Sequence, residues 1–197
     1  IGEVHAISVG GQHPLLYGTR ASWYFEKGKH GGTINDIAVH ALDAIPWITG
    51  LRFTGIHSAR AWNARLKEVP HFQDAAQFML TMSNGCGVLG DVSYFGPDAC
   101  GYGIPQYWRM TFWGSEGVIE GSYNAKELTL YKRTEKSPQI IPATTTQPGG
   151  YLASFFSEVR GEKQDVSLSS AEVLSASRLA LQVQQTADRK QESVSVS

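Results

Sequence analysis

Residues 75–95 read Ala75-Ala-Gln-Phe-Met-Leu-Thr-Met82-Ser-Asn84-Gly85-Cys86-Gly-Val-Leu-Gly-Asp-Val-Ser-Tyr-Phe95. The first eight are a strand candidate, and Asn84-Gly85 is a strong hairpin turn because both residues tolerate positive φ. The chain therefore turns back into a second strand over 86–95. Further on, residues 107–113 alternate: Trp108, Met110 and Phe112 face one way, Arg109, Thr111 and Trp113 the other. Gly114-Ser-Glu-Gly117 turns the chain into 118–123, and 127–132 follows as another strand. From Leu51 to about Ile141 the texture is all-β.

Before this run, residues 3–9 alternate as a strand that Gly10-Gly11 close. Residues 12–32 read as a loop carrying Trp23, Tyr24 and Phe25. Thr33-Ile-Asn-Asp36 has the form of a capping box opening a helix that Gly50 ends, with Pro46 in its last turn and Trp47 as a core anchor. After the β run, 138–150 is a Thr/Pro/Gly connector. A helix spans about 152–160, and a second opens at the capping box Ser169-Ser-Ala-Glu172. Residues 190–197 are polar and either frayed or a short strand. The order predicts an α+β fold over 1–197, one large, mostly antiparallel open sheet with helices on one face. So broad a sheet leaves its other face to another subunit.

Composition narrows the function. Seventeen basic and 18 acidic side chains give a net charge of −1, no electrostatic reason for a nucleic-acid or anionic-membrane partner. No window approaches the roughly 20 apolar residues of a membrane span. Cys86 and Cys100 have neither disulfide-framework nor zinc spacing, which fits a reducing cytoplasm. The start has no signal-peptide pattern and no Met, and an earlier segment is expected.

The most informative chemistry lies at Gly31-Gly32-Thr-Ile-Asn-Asp36-Ile-Ala-Val-His40-Ala-Leu-Asp43. On an α-helix Asp36, His40 and Asp43 share one face. A histidine one turn from a carboxylate is an acid/base device, since imidazole titrates near neutrality. Asp36 as an ordinary cap and His40 as a half-buried structural histidine are the alternative. His30, Asp36 and His40 are potential metal ligands, but no third firm ligand stands at fixed spacing, so no metal is expected. Gly31 and Gly32 permit close approach of a backbone or ligand.

The run from Gly31 to Gly50, GGTINDIAVHALDAIPWITG, resembles the signature of the glucose–fructose oxidoreductase / inositol dehydrogenase / rhizopine-catabolism (Gfo/Idh/MocA) family. Phe112-Trp-Gly-Ser-Glu-Gly-Val-Ile-Glu120 resembles its strand–GSEG–strand segment. Phe155-Phe-Ser-Glu-Val-Arg-Gly161 and the helix from Ser169 resemble its closing helices. The resemblance covers nearly the whole chain and corresponds to the family's C-terminal domain, akin to those of dihydrodipicolinate reductase and glyceraldehyde-3-phosphate dehydrogenase. It implies a substrate domain whose N-terminal Rossmann partner binds NAD or NADP, and an enzyme acting on a CH–OH group of a sugar or cyclitol. His40 would accept the hydroxyl proton, and Asp36 would orient the substrate or the imidazole. Oligomer contacts are implied as well. The chain lacks a Gly-x-Gly-x-x-Gly after a strand and the family's Glu-Lys-Pro motif, so residues 1–197 alone are expected to be inactive.

Arg20, Trp23 and Lys27 are candidates to line a polyol site, by stacking and by donating to hydroxyls, or form a surface loop pinned by one Trp. His30 and Asn35 flank the helix start within reach of a substrate, and Asn35 is equally a local backbone partner. Two other functions compete with a dehydrogenase. One is glycoside hydrolysis through a transient redox step with no net turnover of NAD. The other is a non-catalytic sugar-binding or oligomerisation module.

Overall fold

A computed structural model describes residues 1–143, 150–162 and 169–189. The first strand, β1 (Val4–Pro14), lies at the centre of the sheet. The others are β2 (Phe53–Trp62), β3 (Ala75–Met82), β4 (Gly87–Gly96), β5 (Arg109–Gly114), β6 (Gly117–Ser122), β7 (Glu127–Lys132) and β8 (Gln139–Pro142). Their order is β2-β3-β4-β1-β5-β6-β7-β8. β1 pairs parallel with β4 and antiparallel with β5; every other neighbouring pair is antiparallel. A single π-turn, Ile34–Ala38, runs into helix α1 (Val39–Thr49); α2 (Gly150–Val159) and α3 (Ser170–Asp188) follow the sheet.

The alternation read from the sequence decides which face is covered. Ile7 and Val9 of β1, Phe78 and Leu80 of β3, Val88 and Val92 of β4 and Phe112 of β5 form the core with Ile37, Leu42 and Ile45 and with Ala180 and Val183 of α3. The opposite face carries Met79, Leu89, Trp113, Tyr131 and Ile140, all 39–54 % exposed. The β3–β4 hairpin forms as expected: Gly85 has φ 86°, and Asn84 Oδ1 accepts from the Cys86 amide at 3.0 Å.

Several expectations are corrected. Gly10 and Gly11 continue β1 rather than closing it, because Gly11 lets Ile37 and Trp108 pack where a Cβ would lie 2.9 Å from each. The 138–150 connector contains β8, paired to β7, and α2 begins at Gly150. Trp47 is 64 % exposed, on the outer side of α1, not in the core. The capping box at Thr33 does not form. Thr33 is fully buried, and its hydroxyl donates to the Gln73 carbonyl. The box at Ser169–Glu172 does form, with reciprocal bonds at 2.9 and 3.2 Å, and Gly50 ends α1 at φ 70°. The proposed strand at 190–197 lies outside the described residues.

Between β2 and β3 a loop is built on two side chains. The fully buried Asp74 accepts from the amides of Ala64, Arg65 and Leu66, each at 2.7 Å. Asn63 Nδ2 donates to the carbonyls of Leu66, Val69 and Phe72.

Candidate active site

The glycine at position 11 decides where the site lies. With no side chain there, the π-turn and the entrance to β5 meet over the end of β1. His40 is exposed, and its ring stands edge-on to Trp108, centroids 5.5 Å apart. The turn interrupts the 3.6-residue period on which the shared face of Asp36, His40 and Asp43 was predicted. Asp43 is half-buried, with its carboxyl shifted upward by burial first and then by Glu172.

Asp36 is held by three groups. The hydroxyls of Tyr24 and Tyr94 both donate to Oδ2, Tyr94 at 2.5 Å. His30 Nε2 lies 2.7 Å from the Tyr94 oxygen and 3.8 Å from Asp36 Oδ2. Because Tyr94 spends its proton on the carboxylate, His30 must donate through Nε2, which fixes its tautomer. Burial pushes the Asp36 carboxyl upward, but hydrogen bonds from His30, Tyr24 and Tyr94 outweigh it, and the group stays far below the usual carboxylate range. Burial, reinforced by Asp36, pushes both phenols upward. Asp36 is thus a permanent acceptor at neutral pH. Both phenols converge on Oδ2, so Oδ1 is left to an incoming donor.

The other predicted residues divide. Arg20 joins the cluster, its guanidinium 4.7 Å from the Tyr24 ring centroid. Its Nε donates to the Leu15 carbonyl, and one terminal nitrogen donates to Pro14 and to the Tyr102 hydroxyl. Trp23 is 52 % exposed, its ring tilted against that of Tyr24 with centroids 5.4 Å apart, and Lys27 is exposed. Gly31 and Gly32 have φ 80° and 97°. The close approach at Gly32 is made by a side chain of this fold: Gln184 of α3 fills the space where its Cβ would be and accepts from the Ile34 amide at 2.9 Å. Asn35 lies against Gly31.

Sequence reasoning missed Tyr24, Tyr94, Trp108 and His13 as members of this cluster. One signal was present for Tyr94: it falls on the buried side of β4, where a phenol needs a polar partner. His13 is half-buried among the rings of Tyr94, Tyr102, Tyr107 and Trp108. Its pKa is lowered from 6.5 to about 4, chiefly by burial, with Arg20 and His40 acting the same way and Asp36 opposing. Between pH 6.5 and 4 the unfolded chain therefore binds a proton that the native one refuses, so stability falls with pH through that window. Urea unfolding at pH 7, 5.5 and 4 will show this loss, and His13→Gln will flatten it; parallel curves for the two proteins would remove His13 as the cause.

Fold and side-chain geometry together define an α+β domain with an open, mostly antiparallel sheet and a polar–aromatic cluster around Asp36 beside its central strand. The GFO/IDH/MocA C-terminal domain family matches residues 1–120, and the chain belongs to that family. Solved structures share the fold across nearly all of this chain. An oxidoreductase of Thermotoga maritima is 24 % identical with a TM-score of 0.79, covering 97 % of this chain and 55 % of its own. The aldose-aldose oxidoreductase of Caulobacter crescentus is 17 % identical, TM-score 0.71, covering 97 % and 55 %. Levoglucosan dehydrogenase in complex with NADH and levoglucosan is 18 % identical, TM-score 0.71, covering 96 % and 58 %. The chain thus spans a little over half the length of these proteins. No curated protein matches it. Among the described residues no helix is long and apolar enough to cross a membrane, and no cluster of potential ligands forms a metal site.

Proposed function

We propose that this chain is the substrate-side domain of an NAD(P)-dependent oxidoreductase acting on a CH–OH group of a sugar or cyclitol. One observation carries the reading: an ionised Asp36, held by Tyr24 and Tyr94, and an exposed His40 against the Trp108 ring lie on the same turn. That donor set suits a carbinol. It does not suit a pyrophosphate, because Arg20, the cation within the cluster, is engaged by carbonyls. The dinucleotide accordingly belongs to another part of the natural protein. The bound nicotinamide supplies the hydride acceptor.

Asp36 Oδ1 accepts from a substrate hydroxyl and fixes the ring's orientation, while His40 takes the proton of the reacting hydroxyl. Trp108 offers an apolar surface to sugar C–H groups. The solved complex of levoglucosan dehydrogenase with NADH and levoglucosan supports this substrate and cofactor class. The test is nicotinamide absorbance with NAD and NADP, measured on the natural full-length protein against sugars and cyclitols. Turnover of at least one is expected; none, from a folded and nicotinamide-binding protein, would discard the reading.

The bare sheet face is proposed to meet a second copy of the chain, since Met79, Leu89, Trp113, Tyr131 and Ile140 form an apolar area left exposed among the described residues. Trp113→Arg with Tyr131→Arg is expected to lower the sedimentation coefficient to that of a monomer. An unchanged coefficient would place the contact elsewhere.

A further inference from the structure

We infer that His13 is a substrate-binding residue of this site, an imidazole whose Nε2 exchanges a hydrogen bond with a hydroxyl of the bound polyol other than the one that reacts. The inference rests on the polyol reading above. Its starting point is that His13 Nε2 is buried and has no partner among the described residues. An orphaned buried nitrogen is destabilising, and natural structures hold few of them.

The backbone sets the imidazole in this place. Gln12 pairs with Ser93 and Pro14 with Gly96, so His13 alone faces Tyr94 and Phe95, a bulge of the kind that re-aims side chains. Gly96 permits it, since a Cβ there would lie 2.9 Å from the His13 carbonyl. The rings of Tyr94, Tyr102, Tyr107 and Trp108 surround the imidazole at 5.0–6.2 Å between centroids. Tyr94 gives its proton to Asp36 and the Tyr102 oxygen accepts from Arg20, and neither hydroxyl bonds the imidazole.

Trp108 links this group to the reacting end. The indole stands nearly perpendicular to both imidazoles, with centroids 5.6 Å from His13 and 5.5 Å from His40. A polyol lying along it meets His40 with one hydroxyl and His13 with another. Three of the four rings, those of Tyr102, Tyr107 and Trp108, belong to the connection between β4 and β5, and Tyr102 is 41 % exposed. Its ring is the most exposed of the four, so a hydroxyl reaching the imidazole would pass beside it. A neutral imidazole in an aromatic cage selects a hydroxyl over a carboxylate or phosphate, which it could neither charge-pair nor solvate.

The test uses the natural full-length protein with D-glucose, myo-inositol and their monodeoxy analogues, read by steady-state kinetics and by the nitrogen NMR shift of His13 Nε2. His13→Phe, which fills the cage without a nitrogen, is expected to raise KM for the polyol turned over by roughly tenfold and leave kcat within about threefold. His13→Gln restores most of the loss, and carries the kinetics alone if the Phe variant does not fold. One monodeoxy analogue will be a poor substrate for the wild type and no poorer for the variant, and saturating polyol will move the Nε2 resonance. An unchanged KM, an equal penalty on every analogue, or a resonance that polyol leaves in place overturns the inference. Should the wild type turn over no polyol, the resonance alone decides. A shift then keeps His13 and removes the oxidoreductase reading; no shift removes both.

Discussion

Replacing His40 by asparagine is expected to lower kcat/KM of the full-length enzyme by about 10²–10⁴-fold, the range for loss of a general acid–base group. Asparagine keeps a polar side chain of similar reach and still hydrogen-bonds a hydroxyl, but takes no proton. The loss should therefore fall on kcat with KM nearly unchanged. Stability should hold, because His40 is exposed and contributes little beyond its edge contact with Trp108. The comparison is steady-state kinetics of the two proteins on one sugar, with thermal melts alongside. A rate within threefold of wild type would keep the enzyme and move the base elsewhere.

The second large effect is on stability. Asp74→Ala will leave the amides of Ala64, Arg65 and Leu66 without their acceptor in a part-buried loop. At about 1–3 kcal/mol for each unsatisfied donor, partly relieved by entering water, the loss should be about 3–5 kcal/mol. Asp74→Asn keeps one carbonyl oxygen and should lose less. Urea unfolding of the three proteins at one pH measures both; an alanine variant within 1 kcal/mol of wild type would mean that the loop re-forms without the carboxylate.

How much of this was legible depended on whether local chemistry acted alone. Asn84-Gly85 needs nothing beyond its own backbone to turn, and that hairpin follows directly from the sequence. The same is true of Ser169 and Glu172, which cap a helix start with no competitor. Thr33 and Asp36 carry an equivalent pattern but fail to cap, because Gln73 takes the threonine hydroxyl and two tyrosines take the carboxylate. Gly10-Gly11 reads as a strand end until Ile37 and Trp108 supply the reason for a missing side chain. In the site, Asp36 and His40 were visible through the motif. Tyr24, Tyr94 and His13 were not, since their meeting depends on β1, β4 and the turn at Ser22–Phe25 being brought together in the fold.

The central position of β1 governs the order in which the chain can mature during translation. Val4 pairs with Gly114 and Ala6 with Gly87, so β1, once made, waits for both neighbours, a strongly non-local arrangement that slows folding. Gln184, which packs against Gly32 and bonds the Ile34 amide, leaves the ribosome later still. The β3–β4 hairpin can form early by itself, but the turn carrying Asp36 stays without its support until α3 emerges. A nascent chain stopped after residue 120 would hold both Asp36 and His40 and still lack the side chain that pins the start of their turn.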